Sequence, residues 1–126
     1  MLSGKRRLAP MVWDDHVASN PRSLQELPGD VRVMQWGYES WHNFSFRAEQ
    51  YAARGLAWWA CAGTSSWKSF GGDADNSFGN IESAIGAATD SRFKAEGALL
   101  TDWGDDGHMQ PPAASYVAYA KFAAEA

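Results

Sequence analysis

The sequence predicts an α/β fold in which parallel strands alternate with helices. Three observations point there: four short apolar runs, a polar loop cluster directly after each, and helical periodicity in the segments between them. Strands of a parallel sheet are covered on both faces, so they read as continuous apolar runs and not as alternating ones. Runs this short fit strands better than helices. Strand and helix taking turns along the chain imply βαβ units.

The elements follow in order. The first run is Leu8 to Trp13 (LAPMVW), with Asp14-Asp15-His16 behind it. Asn20-Pro21 opens a short helix to Leu27, and Pro28-Gly29-Asp30 stops and turns it. The second run, Val31 to Trp36 (VRVMQW), leads into Gly37-Tyr38-Glu39. Asn43 or Ser45 caps a helix through Arg54, with Phe44, Ala48, Tyr51 and Ala52 on one face and Gly55 just past its end. The third run, Gly55 to Cys61 (GLAWWAC), is followed by Ala62-Gly63-Thr64-Ser65-Ser66. Adjacent Trp58 and Trp59 must face opposite sides of their strand. Asp75 or Asn76 caps the next helix, where Phe78, Ile81, Ala84, Ile85 and Ala88 recur at helical spacing. The fourth run, Gly97 to Trp103 (GALLTDW), ends in Gly104-Asp105-Asp106-Gly107-His108. Ser115 caps a last helix toward Ala124, with Tyr116, Tyr119, Ala120 and Ala123 inward. A small doubly wound sheet fits the same alternation, but no Gly-rich phosphate turn follows the first strand. In either topology the polar clusters fall at strand C-termini, where α/β folds place their sites.

Bulk properties narrow the function. The 126 residues suffice for one domain with a core, whereas a complete (β/α)₈ barrel needs roughly 200 to 250. The net charge of −4 and a single short basic run, Lys5-Arg6-Arg7, speak against a nucleic-acid partner. No apolar run approaches a membrane span and no signal-peptide core is present, which leaves the compartment open with a lean to the cytoplasm. Cys61 is the sole cysteine, so neither an intrachain disulfide nor a zinc-finger spacing is available. No cofactor is expected. Seven Trp in one small domain serve either a Trp-rich core or flat apolar platforms for sugar rings.

Four strand ends carry a more specific signal: Met11-Val-Trp-Asp-Asp15, Met34-Gln-Trp-Gly-Tyr-Glu39, Gly63-Thr-Ser-Ser-Trp67 and Thr101-Asp-Trp-Gly-Asp-Asp-Gly-His108. Taken together, from about Leu8 to Phe122, they resemble the last four strand ends of glycoside hydrolase family 20-type barrels, the β-N-acetylhexosaminidase group, in a bacterial branch. The resemblance implies that residues 1–126 are the C-terminal half of a TIM barrel, strands 5 to 8. It implies a glycan substrate with β-linked hexosamine-type sugars, and substrate-assisted chemistry in which the sugar's own 2-acetamido group attacks the anomeric carbon. The catalytic Asp-Glu pair of that family sits at the end of the fourth strand, which places it upstream of Met1. A half-barrel further implies an N-terminal half or self-association as partner. The alternative is a non-catalytic carbohydrate-binding or structural half-barrel.

By the same resemblance, Trp13, Trp36 and Trp103 match indoles that line the sugar pocket, and Asp105 matches an acid, commonly Glu in the family, that binds sugar hydroxyls. The Tyr that the family presents at the seventh strand has no counterpart in Cys61-Ala-Gly-Thr-Ser-Ser. The residues themselves add candidates. Asp14 and Asp15 either cap a turn or reach the pocket. Glu39 follows a Gly-Tyr loop, and Trp41 and Trp67 are loop candidates for pocket walls. Asp102, near the end of an apolar strand, must be hydrogen-bonded or protonated, and a pocket role is the reading taken here. Thr64, Ser65 and Ser66 offer hydroxyls for polyol recognition or for a loop. His108 beside Asp105 and Asp106 lacks a second-ligand spacing, so no metal site is expected. The substrate-binding set is therefore Trp13, Asp14, Trp36, Glu39, Trp67, Asp102, Trp103 and Asp105.

Overall fold

The computed structural model describes residues 8–105, 107 and 109–126; the Lys5-Arg6-Arg7 run, Asp106 and His108 lie outside the described residues. Four strands, β1 (Met11–Trp13), β2 (Arg32–Trp36), β3 (Ala57–Gly63) and β4 (Gly97–Thr101), form one sheet in the order β1-β2-β3-β4. Every pairing is parallel. Helices α1 (Asp15–Ser19) and α2 (Pro21–Glu26) join β1 to β2, α3 (Phe44–Arg54) joins β2 to β3, α4 (Ala74–Thr89) joins β3 to β4, and α5 (Tyr116–Glu125) follows β4.

The helices lie on one face of the sheet. Val33, Trp58, Ala60 and Ala62, which alternate along β2 and β3, share a single buried cluster with Phe44, Ala48 and Tyr51 of α3 and Ile81, Ala84 and Ile85 of α4. Val17 of α1, Leu24 of α2 and Ala118 of α5 belong to the same cluster. The strand order never reverses, so this is not a doubly wound sheet with a switch point. The other face carries the intervening residues in register: Trp13, Met34, Trp59 and Gly97 form one row, and Trp36, Cys61 and Leu99 the next. The Trp59 indole occupies the space above Gly97, where a Cβ would come within 2.9 Å of it. Trp58, on the helix side, is fully buried and its indole N–H donates to the Phe93 carbonyl at 2.8 Å. Cys61 is also fully buried, and burial, seconded by the charge of Asp14, pushes its thiol up to about 12.

Local signals explain the helix that was delimited best. The Asn43 side chain accepts from the Phe46 N–H at 3.2 Å, and Gly55 closes α3 at φ 65°, a left-handed conformation that glycine adopts without strain. Elsewhere boundaries move. Strand β1 begins at Met11 instead of Leu8, because Pro10 has no N–H to donate and Leu8 is exposed. Strand β3 starts two residues late, after Gly55 has served the helix, and continues to Gly63. Asp15, read as loop, begins the extra helix α1. Asp73 caps α4 in place of Asp75 or Asn76, accepting from the Asn76 N–H at 3.0 Å. The inward face of α5 is also corrected. Tyr116, Tyr119, Ala120 and Ala123 are exposed, while Ala118 is buried and Phe122 packs on the core. Ser115 does not cap the helix; its hydroxyl donates to Asp102.

Candidate functional site

The residues just past the four strands converge on one cavity of about 560 Å³. Trp13 ends β1, Trp36 ends β2 with Tyr38 two residues on, Trp67 follows β3, and Trp103 follows β4. All five rings line the cavity, with Asp15, Gly104, Asp105, Gly107, Met109 and Gln110 completing it. The rings form a connected wall. Trp13 meets Trp103 edge-on at 5.8 Å between centroids, Tyr38 lies 5.1 Å from Trp36, and Trp67 meets Tyr38 edge-on at 5.3 Å. The Trp103 indole N–H donates to the Tyr38 hydroxyl at 2.6 Å, which closes the chain of contacts.

Two glycines make this approach feasible. A Cβ on Gly63 would sit 2.7 Å from both the Trp67 and Tyr38 rings, and one on Gly37 would sit 2.3 Å from the His42 ring. Asn80 of α4 fixes the backbone beneath. Its side-chain oxygen accepts from the Gly63 N–H at 3.0 Å, and its amide donates to the Gly37 and Glu39 carbonyls at 2.8 and 3.1 Å. Burial raises the Tyr38 hydroxyl above its ordinary value; hydrogen bonds with Thr101 and Trp103 oppose the shift, while the charges of Cys61 and Asp15 add to it. Tyr38 therefore remains a neutral phenol at neutral pH.

Of the expected contacts, Trp13, Trp36, Trp67, Trp103 and Asp105 line the cavity, and three do not. Asp14 is fully buried behind the wall. It accepts from Arg47 at 2.7 Å, Tyr51 at 2.8 Å and the Trp36 N–H at 3.4 Å, so it fastens β1 to β2 and α3 and has no face for a ligand. Burial first, and the Asp14 charge after it, drive the Tyr51 hydroxyl far up. Asp102 is likewise occupied. One oxygen accepts from Thr64 at 2.7 Å and Ser66 at 2.6 Å, the other from Ser115 at 2.6 Å and Tyr119 at 3.0 Å. Asp102 is only partly buried, and four hydroxyls here consume what a sugar would use. Burial pushes the Asp102 carboxyl up, but those four donations outweigh it and hold it below the ordinary carboxylate value. Thr64 and Ser66 are thereby spent on Asp102, and Ser65 accepts from Asn76 at 2.8 Å, so none of the three presents itself for polyol recognition.

Glu39 lies on a neighbouring cavity of about 440 Å³, where it pairs with Lys68 at 2.6 Å. That cavity shares Asp15, Trp36 and Tyr38 with the first and adds Ser19, His42 and Arg47. Burial, and then the charge of Arg47, lower the His42 ring below its ordinary value against the pull of Asp14. Trp41 is 80 % exposed and lines neither cavity. Sequence reasoning passed over Tyr38 as a wall residue, left Asp15 open between a turn and the pocket, and passed over Asn76 and Asn80 as anchors. Tyr38 and Asp15 each stand two residues beyond a strand end, which is the signal that finds them; Asn76 lies in the first turn of α4 and Asn80 a turn further on, and neither position marks the loop it holds. Among the described residues no three of His, Cys, Asp and Glu converge as a metal site requires, and no helix is long and apolar enough to cross a membrane. No family model, curated protein or solved structure matches the chain.

Proposed function

We propose that this chain is the pocket-forming half of a glycoside hydrolase acting on β-linked hexosamine-type or related glycans, with the catalytic acid carried by polypeptide outside these 126 residues. The observation that supports it is the aromatic cavity assembled from the C-terminal ends of four parallel strands. Barrel enzymes build their active sites at that end of the sheet. A cavity of this size suits a small-molecule ligand, and flat indole faces suit the apolar faces of sugar rings. The unreversed strand order with helices on one face is what a segment of a (β/α)₈ barrel has, and the proposed partner is an N-terminal half-barrel or a second copy.

A second reading, a non-catalytic carbohydrate-binding half-barrel, is favoured by the occupation of Asp14 and Asp102, which leaves Asp15 and Asp105 as the carboxylates on the cavity among the described residues. A partner or upstream polypeptide with an Asp-Glu pair at a strand end separates the two. The test is direct. The purified chain, titrated with an aryl N-acetylhexosaminide, should quench its own indole fluorescence and leave the glycoside intact, since a missing general acid forfeits a factor of roughly 10² to 10⁴. Turnover abolished by Asp105→Asn would show a complete active site in this chain and overturn the half-site assignment. Absence of any sugar binding would overturn the glycan reading itself.

A further inference from the structure

Among the described residues, the charged side chains that line the aromatic cavity are of one sign. Asp15 and Asp105 line it, and no Lys or Arg does so among the described residues. Arg47, on the neighbouring cavity, is committed to the buried Asp14 at 2.7 Å, and Lys68, next to Trp67 in the chain, to Glu39 at 2.6 Å. Asp15 and Asp105, by contrast, form no ion pair with any described residue. Five electron-rich rings and two unpaired carboxylates therefore share one cavity.

An aromatic face attracts a cation through its quadrupole, and carboxylates at the same cavity act in the same direction. An acetamido group asks for different chemistry. Its carbonyl draws nothing from carboxylates, which only accept, and the Tyr38 hydroxyl oxygen already accepts from the Trp103 indole N–H. A uronate carboxylate would face Asp15 and Asp105 with no cation to offset them.

We infer that the cavity selects an amino sugar with a free, protonated amine, an unacetylated hexosamine unit, over its N-acetylated, neutral and acidic counterparts. The inference rests on the glycan reading above and specifies its ligand. The ammonium lies against the indole wall formed by Trp13, Trp36 and Trp103, with Asp15 and Asp105 supplying the countercharge.

Binding of glucosamine, N-acetylglucosamine, glucose and glucuronate to the full chain tests it, read by ligand-observed NMR and by indole fluorescence. Glucosamine should bind about tenfold more tightly than N-acetylglucosamine or glucose, the order a cation–π contact with partial desolvation provides. Glucuronate should bind least. The paired variant Asp15→Asn/Asp105→Asn changes two exposed side chains; it should bring the ratio of glucosamine to glucose affinity close to unity, with glucosamine affinity falling further than glucose affinity. Equal or tighter binding of N-acetylglucosamine overturns the inference while leaving the glycan reading standing. An undiminished preference in the double variant also overturns it. Failure of all four sugars to bind overturns both.

Discussion

Exchanging Asp102 for Asn replaces a charged acceptor of four hydroxyl donations with a neutral one that has a single oxygen. Hydrogen bonds to ionised groups are the stronger kind, so Asp102→Asn should cost about 2 kcal/mol, measured as a lower midpoint of denaturant unfolding with an unchanged slope. The pH dependence follows from the same carboxyl. Its folded value lies below the ordinary 3.8, so its contribution is fully present above that value and is lost as pH falls through the depressed one. Wild-type stability should therefore drop below about pH 4, and Asp102→Asn should flatten that part of the profile. An acid at the end of an apolar strand was visible in the sequence. Its partners were not, because Thr64 and Ser66 stand 38 and 36 residues away and nothing local marks them. The same is true of Asp14, whose partners Arg47 and Tyr51 come from the third helix along, α3, 33 and 37 residues away.

Helix α4 does two jobs, packing its apolar face on β3 and holding the strand ends from which the cavity wall rises. Asn80→Ala would leave the Gly63 N–H and the Gly37 carbonyl without this partner in a buried setting, while the Glu39 carbonyl keeps the His42 N–H at 2.9 Å. A loss of about 2 to 3 kcal/mol is expected from the unmet polar groups. Gly63→Ala tests the wall itself. The added Cβ would press on the Trp67 and Tyr38 rings, so near-ultraviolet circular dichroism should change and sugar affinity should fall more than stability does. Elements whose information is local were legible: α3 is marked by Asn43 and Gly55 at its two ends and by its own periodicity. The face of α5 was not, because pattern alone assigned the tyrosines inward, whereas the Ser115 and Tyr119 hydroxyls are drawn to Asp102.

At the scale of the molecule, among the described residues the sheet has two unpaired edges, β1 and β4, and one face without helices. Met11, Trp13 and Leu99 on that face are 49 %, 40 % and 37 % exposed. Unpaired edges and large apolar surfaces both favour association. Sedimentation at micromolar concentration should therefore show a dimer or larger species; a stable, cooperatively folding monomer would remove the half-barrel proposal. Parallel order and strand positions were readable because each apolar run is continuous.

The single cysteine turns that open face into a clock. Raising the Cys61 thiol from its ordinary 9.0 to about 12 lowers its thiolate population at neutral pH about a thousandfold, and the side chain is sealed from reagent. Alkylation of the native chain should thus proceed only through openings that expose the middle of β3. Because Cys61 points to the helix-free side, the labelling rate should slow further once another subunit covers that side. Its dependence on protein concentration would then report the assembly equilibrium without any added dye or tag.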